Sequence, residues 1–286
     1  EGGFLRGLAG VLRGLEEGGL VGEGLVGQRE IAFGRAAAGQ LGQVEVQPVA
    51  DHVAHLIADP AAGDELVAQF GIPVRTLVLD LARAGTGARL HERCGTAGVR
   101  IGTLINNAGI GLVAGPQHAQ DPAAYRQLFR LNCETTLDLA ALFGRDMAAR
   151  GHGRIVNVAS TASFQAMPFA ALYGASKAFL LSLSEAMHVE LKPLGVTVTA
   201  VCPGITDTNF FKHGKPKVPG WLYPLITPAS VAAKALRAVD RGRPTVIPSF
   251  RHWLFAQVAR FLPRRVLLGL MLFIEKRRKG LRRSSR

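Results

Sequence analysis

Tyr173 and Lys177 stand four residues apart in Tyr-Gly-Ala-Ser-Lys, and on a helix that spacing stacks the phenol and the ammonium on one face. A free phenol titrates at about 10, and a cation within a few Å favours the phenolate. Such a tyrosine suits proton exchange with an alcohol or a ketone. Alone, the pair reads equally well as a packed ring beside a solvated lysine, so its surroundings decide. Ser160 comes thirteen residues earlier, just past the apolar run Arg-Ile-Val-Asn-Val-Ala. Its hydroxyl is therefore expected at the carboxyl end of a parallel strand, where open α/β sheets place ligands. Ile105-Asn106-Asn107-Ala108-Gly109 ends another such run. Val201-Cys202-Pro203-Gly204-Ile205-Thr206-Asp207-Thr208 leaves a third through a tight Pro-Gly turn.

The elements that must hold these residues show in the hydropathy pattern. Short apolar runs at 74–79, 103–105, 155–158, 196–201 and 245–247 have the length of strands buried on both faces, and longer helical patterns separate them. Asp121 before Pro122 is an N-cap followed by proline at the first helical position, opening a pattern through Tyr125, Leu128, Leu131, Leu139 and Leu142 that Gly151 to Gly153 break. A second long helix is expected from about 170 to 191, stopped by Pro193 and Gly195. A third is expected to start near Thr227-Pro228 and end at Gly242. The chain of 286 residues is 48% hydrophobic and 19% charged, which excludes wholesale disorder. The predicted class is α/β: a Rossmann-like, doubly wound parallel sheet in three αβα layers with an irregular N-terminal segment.

With Asn-Asn-Ala-Gly at 106–109, Asn132, Ser160, the Tyr173/Lys177 pair and Pro-Gly-x-x-x-Thr at 203–208, the chain resembles the short-chain dehydrogenase/reductase family over about residues 66–250. The resemblance implies hydride transfer between NAD(P)(H) and a carbonyl or alcohol. It makes Tyr173 the general acid/base, Lys177 its pKa-lowering partner and a ribose ligand, Ser160 a hydrogen-bond donor to the carbonyl oxygen, and Asn132 the holder of a relay water. It makes Asp80 an adenine-end contact, and the alternative is a helix N-cap. Asn106 backs the adenosine ribose in that resemblance, although it could equally brace neighbouring strands, and Ala108, Gly109, Pro203 and Gly204 are further cofactor contacts. Thr206 and Thr208 follow the Pro-Gly turn and face the nicotinamide carboxamide, with a plain hydroxyl turn as the other reading.

One part of that pattern is missing. The glycine turn that binds phosphate belongs near residues 31–36, but 33–42 read Phe-Gly-Arg-Ala-Ala-Ala-Gly-Gln-Leu-Gly, and the glycines at 18, 22, 24 and 27 follow no clean strand. Residues 1–60 show no clear period, and no strand is assigned there. We read this segment as the product of another reading frame or a displaced start. NAD and NADP both remain open, with NADP slightly favoured. The alternative function is an inactive Rossmann-like binding protein. Asp51, His52 and His55 could form part of a metal site if two histidines shared a helix face, yet no third ligand has motif spacing, and no metal is expected.

Of the net charge of +13, +10 falls in residues 251–286. The rest is near neutral, which argues against a nucleic-acid-binding body. Residues 1–60, 61–250 and 251–286 are thus expected as an atypical segment, a catalytic domain and an apolar, basic tail. The tail is expected either as an interfacial amphipathic element touching a membrane surface or as a lid on the substrate cleft. Its longest apolar run, nine residues at 266–274, is too short to span a bilayer. Cys94, Cys133 and Cys202 lie far apart and are read as free thiols in a reducing, cytoplasmic compartment. Phe210, Phe211, Trp221, Leu222 and Leu225 favour a small hydrophobic ketone or alcohol as substrate. By resemblance, a homo-oligomer through the two long helices is expected.

Overall fold

The computed structural model describes residues 30–32, 55–57, 68, 74–111, 118, 121–208 and 224–278. In chain order these form β1 (Glu30–Ala32), β2 (His55–Ile57), β3 (Val74–Thr76), α1 (Thr86–Thr96), β4 (Thr103–Asn106) and α2 (Pro122–Phe129). A π-helical turn (Arg130–Thr135), α3 (Thr136–Ala149), β5 (Gly153–Val158), a 3-10 turn (Thr161–Phe164) and α4 (Ala171–Leu191) follow. The chain then runs through β6 (Val196–Val201), α5 (Pro228–Asp240), β7 (Thr245–Val246), α6 (Phe250–Phe261) and α7 (Arg264–Arg278). The glycines at 18–27, residues 33–42, Asp51, His52, Phe210, Phe211, Trp221 and Leu222 lie outside the described residues.

Five strands pair in parallel in the order β1-β4-β5-β6-β7, and β2 pairs with β3 in parallel while lying against β1. The register sets Leu104 beside Ile155 and Ile105 beside Val156, and since strand side chains alternate the two rows enter different layers. Leu104, Ile155 and Val198 pack with Leu90, Leu139, Phe143 and Met147 under α1 and α3. Ile105, Val156 and Val201 pack with Val231, Leu236 and Val239 of α5. Helices thus cover both faces, which explains why β4 and β6 carry almost unbroken buried runs. The fold is the predicted doubly wound α/β sheet.

The local signals hold where they are local. Asp121 accepts a hydrogen bond from the Ala123 N–H at 2.9 Å with Pro122 at the first position of α2. Thr227 caps α5 before Pro228. Several expectations need correction. The helix pattern opened at Asp121 is not continuous but is interrupted by the π turn at Arg130–Thr135. The run at 74–79 forms a strand only over Val74–Thr76. The N-terminal segment does contain strands, β1 and β2, and their pairing rather than their own residues marks them. His55 opens β2, so it cannot share a helix face with His52.

Gly195 ends the helical stretch with φ 76°, and a Cβ there would meet the Gly151 carbonyl oxygen. Gly98 also has positive φ, 65°, but with open space around it. Left-handed backbone costs an L-residue roughly 1–2 kcal/mol. Gly98→Ala is therefore expected to lose about that much stability and Gly195→Ala distinctly more, as read from urea unfolding midpoints of the two variants.

Candidate active site

The carboxyl ends of β4, β5 and β6 converge with the first two turns of α4. Just after β5, Ser160 is extended, with φ −169° and ψ 160°, and its Oγ accepts from the Ala162 N–H at 3.1 Å. The Thr161 N–H donates to the Pro203 carbonyl at 2.9 Å, tying the end of β5 to the Pro-Gly turn after β6. The Ser160 side chain stands close enough to the Tyr173 phenol to draw its pKa down. Lys177, on the same face one turn further along α4, is 5% exposed; its Nζ donates to the Val158 carbonyl at 2.7 Å.

The electrostatics differ from the expectation for this pair. Lys177 Nζ lies 6.0 Å from the Tyr173 ring centroid and is turned to a backbone carbonyl. Burial pushes the Tyr173 phenol above its ordinary value, and Ser160 draws it only partly back. Burial thus sets the direction of the phenol's shift. Lys177 itself is pushed down to about 8, chiefly by burial. Burial raises the Cys133 and Cys202 thiols to about 11 and about 12. They are protonated at neutral pH and leave the ammonium as the local charge.

Asn132 is fully buried inside the π turn, and such turns recur at functional sites because the extra residue redirects side chains. Its Oδ1 accepts from the Ile110 N–H at 3.0 Å. Its Nδ2 donates to the Ile110 carbonyl at 3.0 Å and to Ser176 Oγ at 3.1 Å. Ser176 in turn donates to the Tyr173 carbonyl at 2.8 Å. A Cβ added to Gly109 would sit 3.3 Å from Asn132 Oδ1 and 3.5 Å from Lys177 Nζ, so the bare backbone there lies directly against both groups. Ser176 and Ser163, whose Oγ donates to the Lys177 carbonyl at 2.8 Å, escape sequence reading. The only signal for Ser176 is a small polar residue on the inner face of an apolar helix.

The remaining residues fall into place unevenly. Asn106 Nδ2 donates to Asn157 Oδ1 at 2.8 Å across the β4–β5 register, and Asn157 donates to Ser184 Oγ at 2.9 Å. Asn106 is thus the strand brace that was the second reading. Its buried Oδ1 has no hydrogen-bond partner among the described residues. Asp80 is exposed and accepts from the Ala82 N–H at 3.0 Å; it caps a turn, not α1, whose N-cap is Gly85. Ala108 packs against the core under α1 and α3. Thr206 Oγ1 donates to the Gly204 carbonyl at 3.1 Å, and its strand bridge to Ile226 brings the chain back from residues 209–223. Thr208 ends the described part of that segment, half-buried. Behind Gly204 stands the fully buried His252 of α6, whose ring is where a Cβ of residue 204 would go. No sequence signal marked His252. Among the described residues no group of three or more His, Cys, Asp or Glu comes together to hold a metal.

A parallel sheet covered on both faces, with ligand-type residues at successive strand ends, defines a doubly wound nucleotide-binding architecture. The family model of the short chain dehydrogenases matches residues 32–218, and the chain belongs to that family. It is 36% identical to the ketoacyl reductase HetN of Nostoc sp. over 51% of this chain and 51% of that protein. It is 27% identical to the very-long-chain 3-oxoacyl-CoA reductase of Anas platyrhynchos over 76% of this chain and 68% of that one. The chain thus spans from about half to two thirds of these curated relatives. The solved structure of a short-chain dehydrogenase from Sphingobium yanoikuyae in complex with NADPH is similar at a TM-score of 0.62 and 27% identity, covering 82% of this chain and 89% of that one.

The lowered Lys177 pKa has a sign in stability. From about 8 up to the ordinary 10.5, the unfolded chain holds a proton that the folded chain lacks, so stability rises with pH. The buried thiols run the other way from their ordinary 9.0 upward, because there the folded chain retains protons the unfolded chain has lost. Denaturant midpoints are therefore expected to rise up to about pH 8.5 and to fall above it, where three thiols outweigh one lysine. Lys177→Met should abolish the rise and keep the decline.

Proposed function

We propose that this chain is an NAD(P)-dependent oxidoreductase that interconverts a hydrophobic ketone and its alcohol. The observation that carries the reading is the convergence of Ser160 and the Tyr173 phenol, whose pKa the serine draws down, beside the buried Lys177 ammonium on the Val158 carbonyl. The residues fit the two ribose regions of a dinucleotide. Gly109 offers backbone with no side chain in the way, Asn106 keeps a buried acceptor without a partner among the described residues, and Lys177 presents a cation held by one backbone carbonyl. Pro203, Gly204, Thr206 and Thr208 form the facing wall in this reading, and Asp80 is left to the adenine end. The bound cofactor supplies or removes the hydride.

In the reductive direction Tyr173 holds its proton at neutral pH, because burial keeps the phenol above its ordinary range. It delivers that proton to the carbonyl oxygen as the oxygen gains charge. Ser160 donates a second hydrogen bond to the same oxygen and fixes its position. Lys177, with a pKa near neutrality at about 8, gives a proton to the emptied phenolate side and recovers one from solvent through a relay water, which Asn132 would hold beside the same glycine. The raised phenol makes reduction the favoured direction at neutral pH, while oxidation needs the phenolate and gains as pH rises.

The ketoacyl and 3-oxoacyl-CoA reductases among the relatives support an acyl ketone as substrate, and the NADPH of the Sphingobium yanoikuyae structure supports NADP over NAD. Phe129, Leu137, Phe179 and Val189, exposed along α2 to α4, support a homo-oligomer through the long helices. Buried free thiols support a reducing compartment. Residues 61–250 are then the catalytic body and 251–286 an appendage.

Titration with NADPH and NADH, followed by reduction of apolar 3-oxoacyl thioesters, tests the reading. NADPH is expected to saturate the chain and support turnover. Tyr173→Phe should keep cofactor binding but lose about 10²- to 10⁴-fold in kcat, the range for removing a general acid. A folded chain that binds neither nucleotide would defeat the proposal.

A further inference from the structure

We propose that the helix pair α6–α7 docks on the surface of an anionic lipid bilayer, lying in the interface without crossing it. This goes beyond the redox reading and does not depend on it. The argument begins with the two sides of α6. His252, Ala256 and Ala259 are buried and, at 100° per residue, form one narrow stripe; α6 rests with it on the 3-10 turn after Ser160. Phe250, Leu254, Val258 and Phe261 occupy the opposite side and are all exposed, Phe261 at 83% and Phe250 at 74%. Arg260 and Arg251, both exposed, fall on the two flanks between these sides. A soluble helix puts its polar residues outermost. This one puts them at the borders of an apolar outer face.

The second helix also exposes apolar residues, but at 100° per residue they lie on either side of Arg265 and Lys276, which face away from its buried stripe. Leu267 and Met271 pack inward with Ala259, next to Met167, Phe255, Leu262 and Ile274. Val266, Leu268, Leu272 and Phe273 remain exposed. Exposed Arg264 and Arg265 stand at its start and exposed Lys276 near its end. No helix among the described residues is long and apolar enough to cross a membrane.

Cations around exposed apolar side chains identify the occupant by charge. In a two-fold interface each residue of the patch meets its own counterpart region, so a second copy would bring Arg260, Arg264 and Arg265 up against the same cations. A bilayer bearing anionic headgroups attracts those charges and admits Phe250, Leu254, Phe261 and Phe273 below the headgroup level. Residues 277–286 add six more cations immediately beyond. Because the inner stripe of the same helix touches the turn after Ser160 and His252 fills the space behind Gly204, the lipid surface would lie about one helix diameter, ~10 Å, from the candidate site.

The full chain is to be sedimented with phosphatidylcholine vesicles, alone and with phosphatidylglycerol added. At least tenfold stronger partitioning onto the anionic vesicles is expected, weakened by high salt. Phe261→Glu/Leu254→Glu and Arg264→Glu/Arg265→Glu, changes confined to exposed side chains, should each remove it with far-UV circular dichroism and NADPH titration unchanged. Absence of binding by the folded wild type would overturn the proposal, as would undiminished binding by either variant. So would a dimer at sedimentation equilibrium that Phe261→Glu dissolves. None of these readouts requires turnover, so an inactive chain that binds vesicles would sink the redox reading alone.

Discussion

A buried lysine ammonium whose hydrogen-bond partner among the described residues is a backbone carbonyl is the constraint around which the centre of this molecule is arranged. Lys177 gives up hydration for one contact, to Val158 at the end of β5, and its pKa falls as a result. That contact fixes the azimuth of α4 over the sheet, and with it Tyr173 one turn earlier. The helix cannot rotate without tearing the charge from its acceptor. Ser163 bonding the Lys177 carbonyl and Ser176 bonding the Tyr173 carbonyl fasten the same turn from both sides. Buried polar groups that fail to pair cost about 1–3 kcal/mol each, so this cluster tolerates little rearrangement.

The cluster also explains the interruption between α2 and α3. A continuous α-helix would carry residue 132 past the loop after β4. The π turn slips the backbone so that the Asn132 amide meets both polar groups of Ile110 and the Ser176 hydroxyl at once. The extra turn is a local cost offset by satisfying a loop that would otherwise bury an unpaired N–H and C=O. Gly109 is part of the same solution, because any side chain there would intrude between the asparagine and the lysine.

These requirements divide what the sequence could tell from what it could not. Helix starts at Asp121 and Thr227 are legible because a cap and its target N–H lie within three residues. The strand ends bearing Asn106, Ser160 and Gly204 are legible because a strand buried on both faces writes itself as an apolar run. The π turn is not, since its cause is a bond across 22 residues. Nor is β1, whose three residues Glu-Ile-Ala carry no strand pattern of their own and are held by β4. The pairing of Asn106 with Asn157 needs a register that only the sheet supplies. The expected acidification of Tyr173 failed for a related reason: spacing of four specifies which groups are neighbours, whereas burial, which spacing does not report, sets the sign.

The C-terminal helices show the same division at larger scale. An apolar and basic tail admits two sequence readings, a lid over the site and an interfacial element; α6 turns one side to the body and the other outward. Its narrow stripe of His252, Ala256 and Ala259 uses small side chains to come close to the body, while Phe250 and Phe261 stay outside. Had the helix only to cover a cleft, polar residues on its outer face would have served at no cost in solubility. The composition of that outer face is therefore the part of the appendage that the fold itself does not require.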